Sequence, residues 1–269
     1  MRSEEGARFP LSMVSSGVWA EEIPLERAHS LPSVTRGEDV TMLSELKRIG
    51  YHGTTVCSYK SFPIAAHFEL HIEQGPILEN ERRKIGIVES VQAYRWYTIN
   101  VKGRDCHTGT TDILSRADAL LAASKMIVAS REVAYETGAR VSTGIMDVKP
   151  GSVNTVSGNV TFSLDVRGKN DEIVSQAEQK LKETFTTIAN GRYMPGSATE
   201  FLRKLTSEAH PDLCSVSWRQ DFDSPTVKFH EDCIQCVTAA AQDVFGDKTP
   251  DMTKLMHSGA GTFSSQALR

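Results

Sequence analysis

No apolar run in this 269-residue chain approaches the roughly 20 residues that a bilayer-spanning helix needs. The N-terminus, Met-Arg-Ser-Glu-Glu-Gly, also lacks the apolar stretch of a secretory leader, so a cytoplasmic, reducing setting is the expectation. Basic excess is missing too. Thirty Lys and Arg against 34 Asp and Glu give a formal net charge of -4, which argues against a nucleic-acid or membrane-surface partner and favours a small-molecule substrate. The five cysteines, an odd number at irregular spacing, do not form a disulfide framework. Cys233 and Cys236 make a CxxC, but no second CxxC completes a zinc site. Residues 233, 236, 237, 240, 241 and 244 fall at helical spacing, so both cysteines are read as core residues. There is no internal repeat and no low-complexity tract.

What the chain does have is enough apolar residues, 39%, to bury the cores of two domains. Its middle reads strand, helix, strand, strand, helix, strand. Residues 94–102 and 139–148 are rich in β-formers, and Val160, Phe162, Leu164 and Val166 alternate with polar residues in 158–167. Leu213 to Trp218 alternates more weakly. One helix is expected to start at a capping box, Ser115-Arg-Ala-Asp118, to run through Leu120, Leu121, Ser124, Ile127 and Val128, and to stop before Gly138. A second carries Ile173, Val174, Ala177, Leu181, Phe185 and Ile188 on one face and ends at Asn190-Gly191. This is the βαββαβ order of a ferredoxin-like sandwich, assigned to residues 92–222. The flanks, 1–91 and 223–269, offer short helices over 38–50 and 228–245 and one strong strand, too little to close a doubly wound sheet.

That strand is the most informative stretch. In His67-Phe-Glu-Leu-His-Ile-Glu-Gln-Gly-Pro76, period-two geometry puts His67, Glu69, His71 and Glu73 on one face and Phe68, Leu70 and Ile72 on the other. Imidazole and carboxylate are the groups that catalytic zinc takes, although a half-exposed polar strand would show the same pattern. Three further clusters gain meaning beside it. Glu4-Glu5 is a carboxylate pair at a turn, where one group can bind a metal while its neighbour handles a proton. His107 follows a strand in the hydroxyl-rich loop Cys106-His107-Thr-Gly-Thr-Thr111. Asn154 lies in a Pro-Gly loop, and Arg167, on the polar face of a strand, could clamp a carboxylate or be a plain surface charge.

Taken in order, Glu4-Glu-Gly-Ala-Arg-Phe-Pro10, Glu69-Leu-His-Ile-Glu-Gln-Gly-Pro76 with Leu78-Glu79, His107-Thr-Gly-Thr-Thr111, Asn154 with Arg167, and Ser258-Gly-Ala-Gly261 resemble the hydantoinase and carbamoylase branch of the M20 di-zinc amidohydrolases. This branch includes N-carbamoyl-L-amino-acid hydrolase, β-ureidopropionase and allantoate amidohydrolase. The resemblance implies an α/β fold in which a partial di-zinc exopeptidase-like catalytic domain carries an inserted ferredoxin-like lid that also forms a homodimer. It implies hydrolysis of linear amide C–N bonds in N-carbamoyl amino acids or ureido compounds, with two zinc ions or manganese as cofactor. By position, Glu4 would be the general base, Glu5 and His71 metal ligands, His107 a cross-subunit oxyanion stabiliser, and Asn154 and Arg167 the holders of a substrate carboxylate.

The sequence also departs from the pattern. Asp112-Ile113 stands where the family has Pro-Met, and ligands that the family places before the Glu-Glu pair and after Gly261 are absent from this chain. The expectation is therefore a chain truncated at both ends and impaired in activity when alone. The alternatives are a non-catalytic dimerisation fragment or an M20 aminoacylase or peptidase. The 67–73 strand, deprived of neighbours, should expose apolar surface, and limited proteolysis should leave a core spanning about residues 92–220.

Overall fold

The computed structural model describes residues 6–35, 37–191, 213–245 and the backbone of 252–257. In chain order these form α1 (Val14–Trp19), α2 (Leu25–Ser30), α3 (Met42–Arg48), α4 (Ile77–Glu81), β1 (Ile85–Val91), β2 (Ala93–Lys102), β3 (Cys106–His107) and a 3-10 turn at Ile113–Ser115. There follow α5 (Ala119–Thr137), β4 (Arg140–Ser142), β5 (Met146–Lys149), β6 (Thr155–Val156), β7 (Asn159–Gly168), α6 (Asp171–Ala189), β8 (Ser215–Ser224), β9 (Val227–Lys228), α7 (Glu231–Phe245) and β10 (Met252–His257). Two compact units result, Ala93–Thr226 and the two flanks Met1–Gln92 and Val227–Arg269. No described helix is long and apolar enough to cross a membrane.

In the unit Ala93–Thr226 the antiparallel sheet runs β4-β7-β2-β8, with β5 also paired to β7. The alternation along β7 is complete: Val160, Phe162, Leu164 and Val166 are buried, while the residues between them are half-exposed. On β2, Ile99 and Val101 point the same way. Both long helices cover this one face and meet each other, α5 towards β4 and α6 towards β2 and β8. The face of α6 is the expected one, with Val174, Ala177, Leu181 and Phe185 fully buried. Phe185 packs at 5.2 Å from the Trp218 ring and 6.1 Å from the Phe162 ring. Asn170 caps α6 by accepting from the Ile173 N–H, and Gly191 follows its end at φ +66°.

Three expectations in this unit need correction. The helix α5 starts at Ala119, capped by Asp118, which accepts from the Leu121 N–H at 2.9 Å; Ser115 belongs to the preceding 3-10 turn. A single side chain at 118 already satisfies the orphan amide, so the box at 115–118 has no helix to cap. The buried face of α5 is made mostly of small residues, Ala119, Ala122, Ala123, Ala129, Ser130 and Ala134, with Met126 and Val133 among them; Leu121 and Val128 face outward. The stretch 139–148 is two strands, β4 and β5, because residues 143–145 leave the ladder; there the Gly144 and Ile145 amides donate to the Ser163 hydroxyl.

In the other unit β1 lies between β10, parallel to it, and β9, antiparallel to it. The segment 67–73 joins no sheet among the described residues, so it is irregular and not the expected strand. A strand exists only through a hydrogen-bonded neighbour, and side-chain alternation alone supplies none. The apolar set Phe68, Leu70 and Ile72 is therefore 55%, 92% and 76% exposed, the exposure anticipated for a strand without neighbours. The reading of Cys236 as a core residue is also overturned, while Cys233 is half-buried. Helix α7 packs against β1, Ala241 is its one buried residue, and Cys236 is exposed.

Candidate functional site

The best-defined constellation sits at one end of the sandwich, where β3 and β6 form a two-stranded ladder that pairs His107 with Thr155. Thr108 N–H donates to the Asn154 carbonyl at 2.9 Å, so His107 and Asn154 are held side by side by backbone bonds. Both side chains are exposed. The Gly109 amide donates to His107 Nδ1 at 3.1 Å. A ring nitrogen that accepts carries no proton, so the neutral imidazole holds its hydrogen on Nε2 and offers it as a donor. The Asn154 carboxamide oxygen takes a hydrogen bond from the Ser152 hydroxyl at 2.9 Å, which leaves its NH2 group as the donor. This end of the sandwich thus presents neutral donors, suited to a carbonyl oxygen that gains charge.

Arg167 is elsewhere. It lies near the far end of β7, eight residues beyond Asn159, or about 26 Å at the usual strand rise. Its guanidinium grips Asp165 through Nε at 2.9 Å and Nη2 at 2.7 Å, and it stacks 5.0 Å over the Tyr94 ring. Tyr94, Trp96 and Phe222 cluster on this helix-free face of the sheet. The fold does not bring Arg167 to Asn154, so the two do not hold one carboxylate within a single chain, contrary to the expectation.

Glu4 and Glu5 lie outside the described residues, as does the Ser258–Gly261 motif. The chain that follows the carboxylate pair is tightly anchored. Arg8 donates to Glu45 at 2.8 Å and to Glu38 at 3.0 Å, and its carbonyl accepts from the Val34 amide. Glu45 is bonded by Arg48 and then by Arg8, which hold its carboxyl at about 2. These groups, with Ala7 and Thr35, line a cavity of about 680 Å³ whose charges are mutually paired.

His71 Nδ1 lies 2.6 Å from the Ile72 carbonyl oxygen, to which it donates. Glu73 does something different: its two oxygens accept the Ile77 and Leu78 amides at 2.8 Å each and so hold the start of α4. Among the described residues no group of three or more His, Cys, Asp or Glu is close enough to hold a metal ion. The described residues by themselves therefore do not form a ligand set.

One residue of the site escaped the sequence reading. Arg116 donates to the carbonyl oxygens of Thr108 and Thr111 and so bridges the loop that carries His107. The available signal was an arginine shortly after a Gly/Thr loop, where carbonyls without a ladder need donors.

A sandwich inserted between two flanks, with an imidazole and an amide at one end and an arginine at the other, is the setting in which comparison with known proteins becomes informative. Residues 4–267 match the model of peptidase family M20/M25/M40, and the chain belongs to that family. Among curated relatives, an N-carbamoyl-L-amino-acid amidohydrolase of Rhizobium meliloti is 39% identical over 61% of this chain and 39% of the relative. An allantoate amidohydrolase of Bacillus subtilis is 31% identical over 74% and 48%. The solved structure of an amidase of the hydantoinase/carbamoylase family from Burkholderia vietnamiensis is similar with a TM-score of 0.78 and 32% identity, over 98% of this chain and 57% of that one. The chain thus spans about half the length of the proteins it matches.

Proposed function

We propose that the protein of which this chain is the whole or a part hydrolyses linear amide C–N bonds in N-carbamoyl amino acids or ureido compounds. The observation that carries the reading is the His107 and Asn154 pair, held by a backbone ladder with its N–H groups available, in a family whose named relatives act on such substrates. In this reading Glu4 takes a proton from the attacking water, and Glu5 and His71 would be among the groups that hold metal. Two zinc ions, or manganese, would when bound lower the pKa of that water and polarise the carbamoyl carbonyl. The His107 Nε2–H donates to the carbamoyl oxygen as charge builds on it, and Asn154 adds a neutral donor. Arg167 exchanges Asp165 for the substrate carboxylate, a bidentate fit for a guanidinium. The sandwich acts as the lid.

The separation of Arg167 from His107 supports a homodimer, in which one copy supplies His107 and Asn154 and the other Arg167. Helix α5 offers a surface for it. Leu121, Val128 and Tyr135 recur every seventh residue on its outer face and are 53%, 59% and 89% exposed. Because the stripe is symmetric about Val128, an antiparallel copy would set Val128 on Val128 and Lys125 beside the copy's Glu132.

The test reads ammonia released from carbamoyl and ureido compounds, and free amino acid released from acetyl compounds and dipeptides. The chain, given zinc or manganese, is assayed with N-carbamoyl-β-alanine, N-carbamoyl-L-amino acids, allantoate and ureidoglycolate, beside N-acetyl amino acids and dipeptides. Release from a carbamoyl or ureido compound, lost in His107→Asn, supports the reading. Cleavage of the acetyl compounds or dipeptides alone would make it an aminoacylase or peptidase. No turnover with any of them, by a chain that still dimerises, would mark a dimerisation module.

A further inference from the structure

We propose that Arg116 is a positioning residue for His107 and sets which imidazole nitrogen carries the proton; the value of that effect for catalysis rests on the functional reading above, but its test does not. The guanidinium donates through Nε and Nη2 to the Thr111 carbonyl at 2.9 and 2.7 Å and through Nη2 to the Thr108 carbonyl at 2.6 Å. These two carbonyls bracket the turn in which Gly109 directs its amide at His107 Nδ1. The Thr111 amide donates to the His107 carbonyl at 3.2 Å and completes the loop.

The arginine is itself anchored. The Arg104 amide donates to the Ala117 carbonyl at 2.9 Å, and Arg104 Nη2 donates to the Ser115 carbonyl at 2.8 Å, so residues on both sides of Arg116 are bound to Arg104, two residues past β2. Gly103 is part of the fit, since a Cβ there would lie 2.0 Å from the Ala117 carbonyl oxygen. A chain of fixed parts thus runs from β2 through Arg116 and the Thr108–Thr111 turn to the ring. The planar fork of arginine reaches two carbonyls at once, which a lysine ammonium on a flexible stem does not reproduce. Gly109 meets the ring closely as well: a Cβ would stand 3.3 Å from the ring carbon between the two nitrogens.

Imidazole nitrogen NMR on the full chain labelled with 15N-histidine reads the proton position directly, with His107→Asn to assign the signal among the eight histidines. In the parent chain at neutral pH the His107 Nδ1 resonance is expected in the unprotonated range and Nε2 in the protonated one. In Arg116→Ala and Arg116→Lys the two resonances should converge towards an average of the tautomers, and Gly109 amide exchange should quicken about fivefold to tenfold, the loss of one ordinary hydrogen bond. Gly109→Ala, which displaces the ring and leaves Arg116 in place, should shift the same two resonances. Unchanged His107 resonances in a folded Arg116→Lys chain, or a parent chain with the proton on Nδ1, would overturn the proposal. Because no turnover is measured, a chain inactive on every carbamoyl compound but with the expected resonances would deny the proposed function to this chain by itself and leave this inference standing.

Discussion

Glu45 shows how much of the flanking unit's order depends on single charges. Arg48 and Arg8 hold its carboxyl at about 2, against 4.5 for an unperturbed glutamate. The folded value is the lower one, so this contribution to stability is complete above about pH 4.5 and fades as the pH falls towards 2. Glu45→Gln should lower the melting temperature at pH 7, and the difference from the parent chain should shrink between pH 4.5 and pH 2; a constant difference across that range would refute the assignment. At this scale the sequence was partly legible. His107 and Asn154 stood out by type and by loop context, whereas Arg116 did not, because its role lies in the backbone carbonyls it reaches. No side-chain pattern encodes that.

Among the elements, the clearest contrast is between β7 and the segment 67–73, which share the same alternation. β7 has β2 on one side and β4 and β5 on the other, and it buries its apolar face beneath α5 and α6. The 67–73 segment has no such neighbour among the described residues and leaves Leu70 almost fully exposed. Chymotrypsin under native conditions should therefore cut first around Phe62, Phe68 and Leu70, well before any site in 119–189, as followed by mass spectrometry of the early fragments. Early cleavage within α5 or α6 would contradict this order. Leu181→Ala, at a fully buried position of α6, should cost about 2–5 kcal/mol by chemical denaturation, the range for a core leucine. A loss below about 1 kcal/mol would mean that α6 is less tightly packed than its burial indicates.

For the whole molecule, the question is whether two copies meet. Light scattering behind size exclusion should give a dimer for the parent chain and a monomer for Val128→Glu, with circular dichroism showing both folded. Lys125→Glu alone should weaken the dimer, and adding Glu132→Lys should restore it, since the swap re-forms the pair with the charges reversed. A parent dimer that Val128→Glu leaves intact would place the interface elsewhere. A monomeric parent at all concentrations would remove the homodimer itself.

By itself the sequence determined what depends on local order: the strands and helices of the sandwich, through periods of two and 3.6 residues, and family membership, through motifs in series. The tertiary structure decided what depends on partners. It separated Arg167 from Asn154 by the length of β7, turned Leu121 and Val128 of α5 outward, and gave residues 67–73 no sheet neighbour among the described residues. It also aimed the Gly109 amide at one nitrogen of His107. Each of these outcomes turns on which backbone groups meet across the fold, and hydrogen bonds between distant segments leave no periodic trace in the residues that make them.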